Sequence, residues 1–247
     1  MNLLFLSYFT FLIRRRGTVL GILWLLVGPS LFITFLGTIY AQVGAVDTKE
    51  FIPHLTVGLA IWTLINGFIV ESATVFQSAR AQILQGSQSL DGIIVVNVIT
   101  TTLLFLHQLP ITIVVFLIFG INLEWVALEC VFGILLLIAN GYFACFVFGM
   151  VGARYRDLGE LFNSIMRIAF LATPIIWVPT IEMEDGLIGS VLIFNPFYHF
   201  IDVIRAPLLG HSASLLSWSV VILVTITMSL VALLLKKYYA HRVVFWL

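Results

Sequence analysis

The chain has 247 residues, of which 61% are hydrophobic and 10% are charged, whereas soluble domains have about 45–50% apolar and about 25% charged residues. Its mean hydropathy is +1.13, which excludes an ordinary soluble domain and indicates a polytopic membrane protein. Twelve basic and twelve acidic residues give zero net charge, so the charge balance implies no nucleic-acid partner.

The N-terminal segment, residues 1–16, is apolar and aromatic up to Ile13 and then carries Arg14, Arg15 and Arg16. A secretory signal has its basic residues before the apolar run, so the reversed order argues against one. We predict a short interfacial helix on the cytosolic face, with the arginines among the headgroups of the membrane lipids. The arginines either fix the topology alone or also bind an anionic lipid.

Six stretches of about 20 predominantly apolar residues follow, which is the length that a helix needs to cross about 30 Å of hydrocarbon. Their residues are continuously apolar and do not alternate, so helices are predicted and a β-barrel is not. The predicted fold is an all-α polytopic membrane protein with one transmembrane domain. The predicted spans cover residues 18–40, 53–76, 92–119, 125–150, 161–178 and 215–235.

The orientation follows from the basic residues. With the N-terminus inside, ten of the twelve lie in cytosolic ends and loops, and only Lys49 and Arg205 lie outside. Because basic residues accumulate on the cytosolic side of membrane proteins, both termini are predicted to be cytosolic.

A polar loop, residues 77–91, lies on the predicted cytosolic side. Its part Ser78–Gln85 has good helix formers, and Gly86 follows as a stop signal. A short helix across the base of two spans would give a partner protein a contact surface. The alternative is an inert connecting loop.

A second stretch, residues 179–214, is too apolar for a solvated loop. Its two apolar halves flank Asn195 and Pro196, and neither half is long enough to cross a bilayer. We predict two short outer re-entrant helices before the last span. Such elements are tolerated where they pack on protein or line a cavity, so we expect them to shape the exit of a pathway.

Ionisable residues inside the predicted spans are sparse: Glu71, His107, Glu129 and Arg167. They do not form the dense relay of an ion-coupled pump. His107 is either a packed neutral imidazole bonded to a neighbouring backbone or hydroxyl group, or a functional residue. Arg167 either reaches to the inner membrane surface or binds an anionic substrate head. Pro174 removes one backbone hydrogen bond from the fifth span, which predicts a bend there.

Other chemistry is scarce. Cys130 and Cys145 lie on one predicted helix about 22 Å apart, beyond the reach of a disulfide. There is no paired Cys/His spacing for a metal, and none of the three lysines follows a glycine, so a G-K-[ST] nucleotide loop is absent from the sequence. We therefore expect no catalytic residue, metal or cofactor in this chain. If transport is driven by ATP, the ATPase is another chain.

Six sequence stretches occur in an order that carries a family resemblance. The first, R-R-R-G-T-V-L-G-I-L-W-L-L-V-G-P-S-L at residues 14–31, is similar to a basic cluster followed by G-S-V-L-G-x-x-W and N-P, with Gly28 where Asn is usual. The others are N-V-I-T-T-T-L-L-F-L-H-Q at 97–108, R-Y-R-D-L at 154–158, T-P-I-I-W at 173–177, N-P-F-Y-H-F-I-D-V-I-R-A-P-L-L-G at 195–210, and F-W-L at 245–247. The set resembles the ABC-2 polysaccharide-export permeases, and its variants are most similar to O-antigen exporters, with capsule and teichoic-acid exporters as near relatives.

The resemblance implies a homodimer of six-helix subunits in the bacterial inner membrane. It implies two partner nucleotide-binding subunits that carry ATP and Mg, and a lipid-diphosphate-linked polysaccharide that is moved outward. Contacts to the ATPase are implied at Ser78, Arg80, Gln82, Gln85, Arg154, Tyr155, Arg156, Asp157 and Glu160. Contacts to the substrate headgroup are implied at Arg14, Arg15, Arg16, Arg154, Arg156 and Arg167.

Two further sets of residues are implied along the pathway. The channel-lining set is Phe32, Phe35, Tyr40, Phe170 and Trp177, whose rings either stack on sugars or pack against lipid and other helices. The outer-gate set is Asn195, Pro196, Tyr198, His199 and Arg205.

Two other functions stay open at this point. One is an ABC-2 exporter of a small molecule. The other is a membrane enzyme acting on lipid-linked sugars, which should show clustered carboxylates or histidines at one membrane face. Its only candidates, Glu182, Glu184 and Asp185, lie in one loop without a basic or metal-binding companion.

Overall fold

The structure, a computed structural model, describes residues 3–13, 21–43, 47–179 and 187–247. The regular secondary structure in these ranges is helical, without a β-strand. The α-helices are α1 Leu3–Ile13, α2 Trp24–Val43, α3 Thr48–Ser78, α4 Arg80–Leu84, α5 Leu90–Phe119, α6 Glu129–Arg154, α7 Leu158–Ala172, α8 Leu187–Phe194, α9 Pro196–Leu208, α10 Leu215–Tyr239 and α11 Val243–Trp246. Predicted features outside the described residues are Arg14, Arg15, Arg16, Glu182, Glu184 and Asp185.

Five helical segments of the described chain have the length and apolar composition to cross a membrane. They correspond to the first four predicted spans and the sixth, so the prediction of an all-α polytopic fold is confirmed at this level. Their bounds are Gly21–Val43, Thr48–Ser78, Leu90–Phe119, Trp125–Arg154 and Leu215–Trp246.

The fifth predicted span, residues 161–178, differs from the structure. It corresponds to α7, whose 15 residues extend only about 22 Å at 1.5 Å per residue. The helix ends at Ala172, because Thr173 is extended (φ −100°, ψ 135°), as expected of a residue that precedes proline. Pro174 therefore marks the end of α7, so the predicted span is interrupted there and does not continue as one bent helix.

Local capping signals explain where several helices begin and end. The Asp47 side chain accepts a hydrogen bond from the backbone of Lys49 at the start of α3, and Ser89 accepts one from Gly92 at the start of α5. At the other end of α5, Gly120 has φ 68°, a left-handed conformation that ends helices and suits glycine.

Helix α3 is the centre of the bundle and packs against α2, α5, α6, α7 and α9. Its approach to α6 is close enough to require glycine. A Cβ atom on Gly152 would lie 1.8 Å from the carbonyl oxygen of Ala73, and Gln77 Nε2 donates a hydrogen bond of 2.6 Å to the Gly152 carbonyl. The ends of α3 and α6 are thus in close backbone contact and are joined by one side-chain hydrogen bond.

We call the end of the bundle that contains these contacts the α4 end. The short helix predicted within the polar loop is present there as α4, and Gly86 follows it with φ 63°. At the same end, Lys236 of α10 bonds Asp91 of α5 with an Nζ–Oδ1 distance of 2.7 Å.

The opposite end, which we call the α9 end, contains the start of α3 and the end of α7. The two short helices predicted within residues 179–214 are present as α8 and α9. Asn195 separates them and caps α9, since its Oδ1 accepts a hydrogen bond from the backbone of Phe197. Pro196 occupies the first position of α9, where its missing N–H costs no helical hydrogen bond.

Candidate functional site

A groove of about 620 Å³ lies between α2, α3 and α7. This volume falls within the roughly 300–1,000 Å³ of typical ligand sites. Its walls combine aromatic rings with hydrogen-bonding side chains. The aromatic lining residues are Phe32, Trp62 and Phe170, and the polar ones are Thr63, Asn66, Asn163 and Arg167.

The helical repeat places the polar residues in two short rows. On α7, Asn163 and Arg167 are four residues apart, so they lie on one face of the helix. On α3, Thr63 and Asn66 are three residues apart and likewise share a face. Both rows line one groove, so two helices supply hydrogen-bonding groups to it.

Three of these side chains have no partner of their own. Across the described ranges, the structure gives no hydrogen bond or ion pair to the side chains of Asn66, Asn163 or Arg167. Asn66 precedes the end of α3 at Ser78 by twelve residues, about 18 Å along the helix axis. Polar groups at such a depth in a membrane need water or another polar partner. The groove is therefore suited to hold water or a polar ligand.

The aromatic rings give the groove its apolar surfaces. Phe32 is 39% exposed, and Phe170 packs against the buried Trp62 with ring centroids 5.6 Å apart. Trp62 in turn meets the edge of Phe197 of α9 at 5.7 Å. Rings beside amide groups suit a ligand that has both apolar faces and hydroxyl groups.

The groove only partly matches the predicted channel lining. It brings Phe32, Phe170 and Arg167 together, whereas Phe35, Tyr40 and Trp177 are not among its lining residues. The resemblance missed Trp62, Asn66 and Asn163. The available signals were the i, i+4 pair of Asn163 with Arg167, and a lone asparagine inside the apolar span that became α3.

Tyr40 and the predicted gate residues Asn195 and Arg205 meet instead at the end of α7. Tyr40 donates a hydrogen bond of 2.8 Å from its hydroxyl to the Ile176 carbonyl. Asn195 Nδ2 donates to Thr173 Oγ1 at 2.9 Å, and Arg205 Nη1 donates to the Pro174 carbonyl at 2.7 Å. Side chains from α2, α9 and the α8–α9 junction thus hold the non-helical residues after Ala172.

Arg205 is the central member of this arrangement, and it is only 5% exposed. A guanidinium stays protonated in proteins, so Arg205 keeps its charge at this buried position. Its Nη1 lies 3.0 Å from Nε2 of His54 in α3. Because a guanidinium only donates, His54 is the acceptor in this contact. We call Tyr40, His54, Asn195 and Arg205 the clamp.

His199, another predicted gate residue, belongs to a separate buried network. Its ring nitrogens lie 3.0 Å from Ser217 Oγ and 2.9 Å from the Ile193 carbonyl oxygen, and Ser217 donates to Asp202 Oδ2 at 2.7 Å. The network joins α8, α9 and α10, while Tyr198 meets the His199 ring at 5.2 Å. Ser217 is fully buried, so this group of serine, histidine and aspartate is closed to a substrate.

The predicted ATPase contacts are exposed at the α4 end. Arg80, Gln82 and Gln85 are exposed on or next to α4, and Leu84 beside them is 51% exposed. Tyr155, Arg156, Asp157 and Glu160 are exposed at the turn between α6 and α7. The guanidinium of Arg154 lies over the rings of Tyr155 and Trp246, at 5.5 Å and 5.7 Å from their centroids. Because the ends of α3 and α6 are bonded to each other, the two exposed stretches lie at one end of the bundle.

His107 shows the packed arrangement that was one of its two alternatives. Its Nδ1 lies 2.8 Å from the Leu103 carbonyl oxygen, and its ring centroid lies 4.7 Å from that of Phe11 in α1. In the described part of the chain, no group of three His, Cys, Asp or Glu residues is arranged to hold a metal ion.

Comparison with known proteins finds no family model that matches the chain. Similar proteins include the O-antigen export system permease protein RfbA of Myxococcus xanthus, 21% identical over 199 residues that cover 80% of this chain and 76% of the relative. They also include the protein of the same name from Klebsiella pneumoniae, 25% identical over 191 residues that cover 74% of this chain and 71% of the relative. These similarities confirm the resemblance seen in the sequence motifs. With the five apolar helices, they confirm the prediction of a multi-pass protein of the bacterial inner membrane.

Proposed function

We propose that the chain is the permease subunit of an ATP-driven ABC exporter, and that it moves a lipid-diphosphate-linked O-antigen polysaccharide from the cytosol to the outer side of the inner membrane. The observation that carries the proposal is the groove, where Arg167, unpaired amides and aromatic rings meet at membrane depth. A diphosphate-linked glycan has the matching chemistry, since its phosphates are anionic and its sugars carry hydroxyl groups and apolar ring faces. The names of the similar proteins support this substrate class.

In this proposal, two copies form the pathway. The exposed apolar side chains on α2 and α7 include Phe35, 65% exposed, and Ile168, 70% exposed. A second copy packed against this side would close the groove into a channel. The exposed apolar faces of α2 and α7 also suit contact with lipid, so the exposure alone does not establish a dimer. The dimer is therefore proposed together with the function.

The proposed subunit has six spans with both termini in the cytosol, and α7 is the fifth. Helix α7 alone extends about 22 Å, and the non-helical residues after it complete the crossing. Irregular backbone is tolerated at membrane depth where protein satisfies its polar groups. The clamp supports this part of the proposal, because it bonds the carbonyl groups of Pro174 and Ile176.

ATP binding and hydrolysis are proposed to occur on two partner subunits that dock at α4 and at the turn between α6 and α7. The contact of Gln77 with Gly152 joins the ends of α3 and α6, so both docking stretches would move together. Met166 is the one buried residue of α7, so a shift of that helix against the rest would disturb little buried packing. Arg154, Arg156 and Arg167, with Arg14, Arg15 and Arg16, would attract the diphosphate.

Deletion of the protein tests this function in the cell. We expect glycan polymer on its undecaprenyl carrier to accumulate inside the cell and to disappear from the surface, and the wild-type chain to restore export. Unchanged surface polymer would contradict the proposal and favour a small-molecule exporter. Loss of polymer synthesis without any retained polymer would favour an enzyme that acts on lipid-linked sugars.

A further inference from the structure

We infer that Asn66 of α3 and Asn163 of α7 form a sugar-binding subsite beside Arg167, which takes the neutral sugar next to the diphosphate of the substrate. The inference deepens the proposed function and rests on it. The two amides bind the sugar and the arginine binds the phosphate, so one groove recognises the linkage between the diphosphate and its first sugar.

Asn66, Asn163 and Arg167 are placed so that one ligand can contact all three. Asn163 precedes Arg167 by four residues, which is about 6 Å along the axis of α7 and on the same face. Asn66 lines the same groove from the wall formed by α3. A ligand held by Arg167 can therefore contact Asn163 one turn along α7 and Asn66 on the opposite wall.

The amide groups of Asn66 and Asn163 are available to bond a ligand. Each amide offers two donor hydrogens and an acceptor oxygen. The other residues whose structure is described provide no partner for either amide. Amides of this kind match hydroxyl and acetamido groups, which donate and accept in the same way. Two of them on facing walls can bond one sugar ring from two sides.

The charge and the apolar surface of the groove restrict the kind of sugar that it can bind. Arg167 is the one charged residue among those that line the groove in the described chain. Because Arg167 is assigned to the diphosphate, the described lining offers no second cation to an acidic sugar, and the sugar that fits beside it is neutral. The rings of Phe32 and Phe170 supply apolar surface for the faces of that sugar.

The test measures binding to the full chain, purified together with its ATPase and embedded in lipid nanodiscs. One probe is undecaprenyl diphosphate, and the other is undecaprenyl diphosphate that carries one N-acetylhexosamine. We expect wild type to bind the sugar-bearing probe about tenfold more tightly, as expected for a few additional hydrogen bonds. Asn66→Leu and Asn163→Leu should each lose most of this preference and keep the affinity for the bare diphosphate within about twofold.

Two controls separate the sugar contact from other effects. Asn122→Leu makes the same change at an exposed position after α5, and it should bind both probes like wild type. Arg167→Gln should weaken the binding of both probes. The mass of each complex is measured as well, because amides that pair with a second copy would be needed for assembly. Intact complexes with lost sugar preference support the subsite.

Several outcomes would overturn the inference. They are wild-type affinity for the sugar-bearing probe in both asparagine variants, equal losses for both probes, or dissociation of the complex. If the wild-type complex binds both probes equally and the variants do the same, the subsite is wrong while the proposed function stands. If the wild-type complex binds neither probe, the proposed function fails and the subsite fails with it.

Discussion

Arg205 and its neighbours replace the backbone hydrogen bonds that are lost where α7 ends. The carbonyl oxygens of the non-helical residues after Ala172 have no partner within a helix, and in lipid an unpaired carbonyl costs several kcal/mol. Arg205 bonds Pro174 at 2.7 Å, and Tyr40 bonds Ile176 at 2.8 Å. The cost of burying the guanidinium is offset by its contacts to Pro174 and His54.

The Arg205→Met variant should be less stable than wild type, because the buried bonds from the guanidinium to the Pro174 carbonyl and to His54 are lost. His54 Nε2 lies 3.1 Å from the same carbonyl oxygen and can replace one of them, so the net loss is about one buried hydrogen bond, ~1 kcal/mol. The midpoint of thermal unfolding in detergent should fall accordingly. Arg205→Lys keeps the charge without the planar fork and should lie between the two. Arg80→Met, on exposed α4, is the control. Equal midpoints for Arg205→Met and Arg80→Met would show that the clamp contributes no stability.

The clamp residues show which contacts of single residues could be predicted from the sequence and which could not. The family resemblance pointed to Asn195 and Arg205 as gate residues, and both lie in the clamp. Tyr40 was assigned to the channel lining, because its ring suits a sugar face as well as it suits packing. Its actual partner, Ile176, is 136 residues away in the chain, and neither periodicity nor local spacing reports such a pair. His54, 151 residues from Arg205, escaped notice for the same reason.

Helices α3 and α6 are closely packed along much of their length. Four glycines of α6 would each place a Cβ atom within 3.0 Å of a neighbouring helix, which is α3 for positions 141, 149 and 152 and α9 for position 133. At three of them the nearest atom belongs to a side chain, whereas at Gly152 it is the backbone oxygen of Ala73. A side chain can move aside, but the backbone of α3 cannot do so without moving the helix.

Gly152→Ala should therefore separate the ends of α3 and α6 and destabilise the protein. Overpacking of this kind costs about 1–3 kcal/mol, and it should also weaken the hydrogen bond from Gln77. Gly28→Ala is the matched control, since no atom lies within 4 Å of its Cβ position. Both variants are compared by their midpoint of unfolding in one detergent. A Gly152→Ala midpoint equal to that of Gly28→Ala would refute the close approach.

At the scale of helices, the apolar runs predicted five spans to within about five residues, because hydrocarbon thickness fixes their length, except that the last helical segment continues to Trp246 and not to residue 235. The fifth predicted span was too long at its C-terminal end. Its sequence, T-P-I-I-W, stays apolar beyond Ala172, so hydropathy continued the span where proline chemistry ended the helix. Helix α7 is polar on one face as well, since Glu160, Asn163, Ser164 and Arg167 recur at intervals of three and four residues.

For the whole molecule, the two exposed stretches at the α4 end and the groove between α2, α3 and α7 are the two surfaces that the proposed function uses. The sequence indicated the first, because polar segments between apolar spans are visible in one dimension. It indicated the groove in part, through Phe32, Phe170 and Arg167. The wall contributed by α3 was missed. Asn66 lies in an apolar span, and the other residues of that span do not indicate which of its faces lines the groove.

Leu84→Asp tests the docking of the ATPase at the α4 end. Leu84 is 51% exposed on α4, and a carboxylate there should disrupt an apolar contact with the partner while leaving the fold intact. We expect the amount of ATPase that co-purifies with the chain to fall severalfold. Leu123→Asp, at a 63% exposed position beyond the other end of α5, should co-purify as wild type does. Equal ATPase recovery in the two variants would exclude α4 as the docking site.

The most direct test of the proposed function is transport by the purified complex in sealed liposomes. Undecaprenyl-diphosphate glycan with a label on its sugar is placed in the leaflet that faces the ATPase, and its arrival in the opposite leaflet is measured with a lectin that cannot cross the bilayer. We expect arrival that requires ATP and is reduced at least tenfold by Arg167→Gln in an intact complex. Arrival at the same rate without ATP, or no arrival with wild type and ATP, would contradict the proposed function.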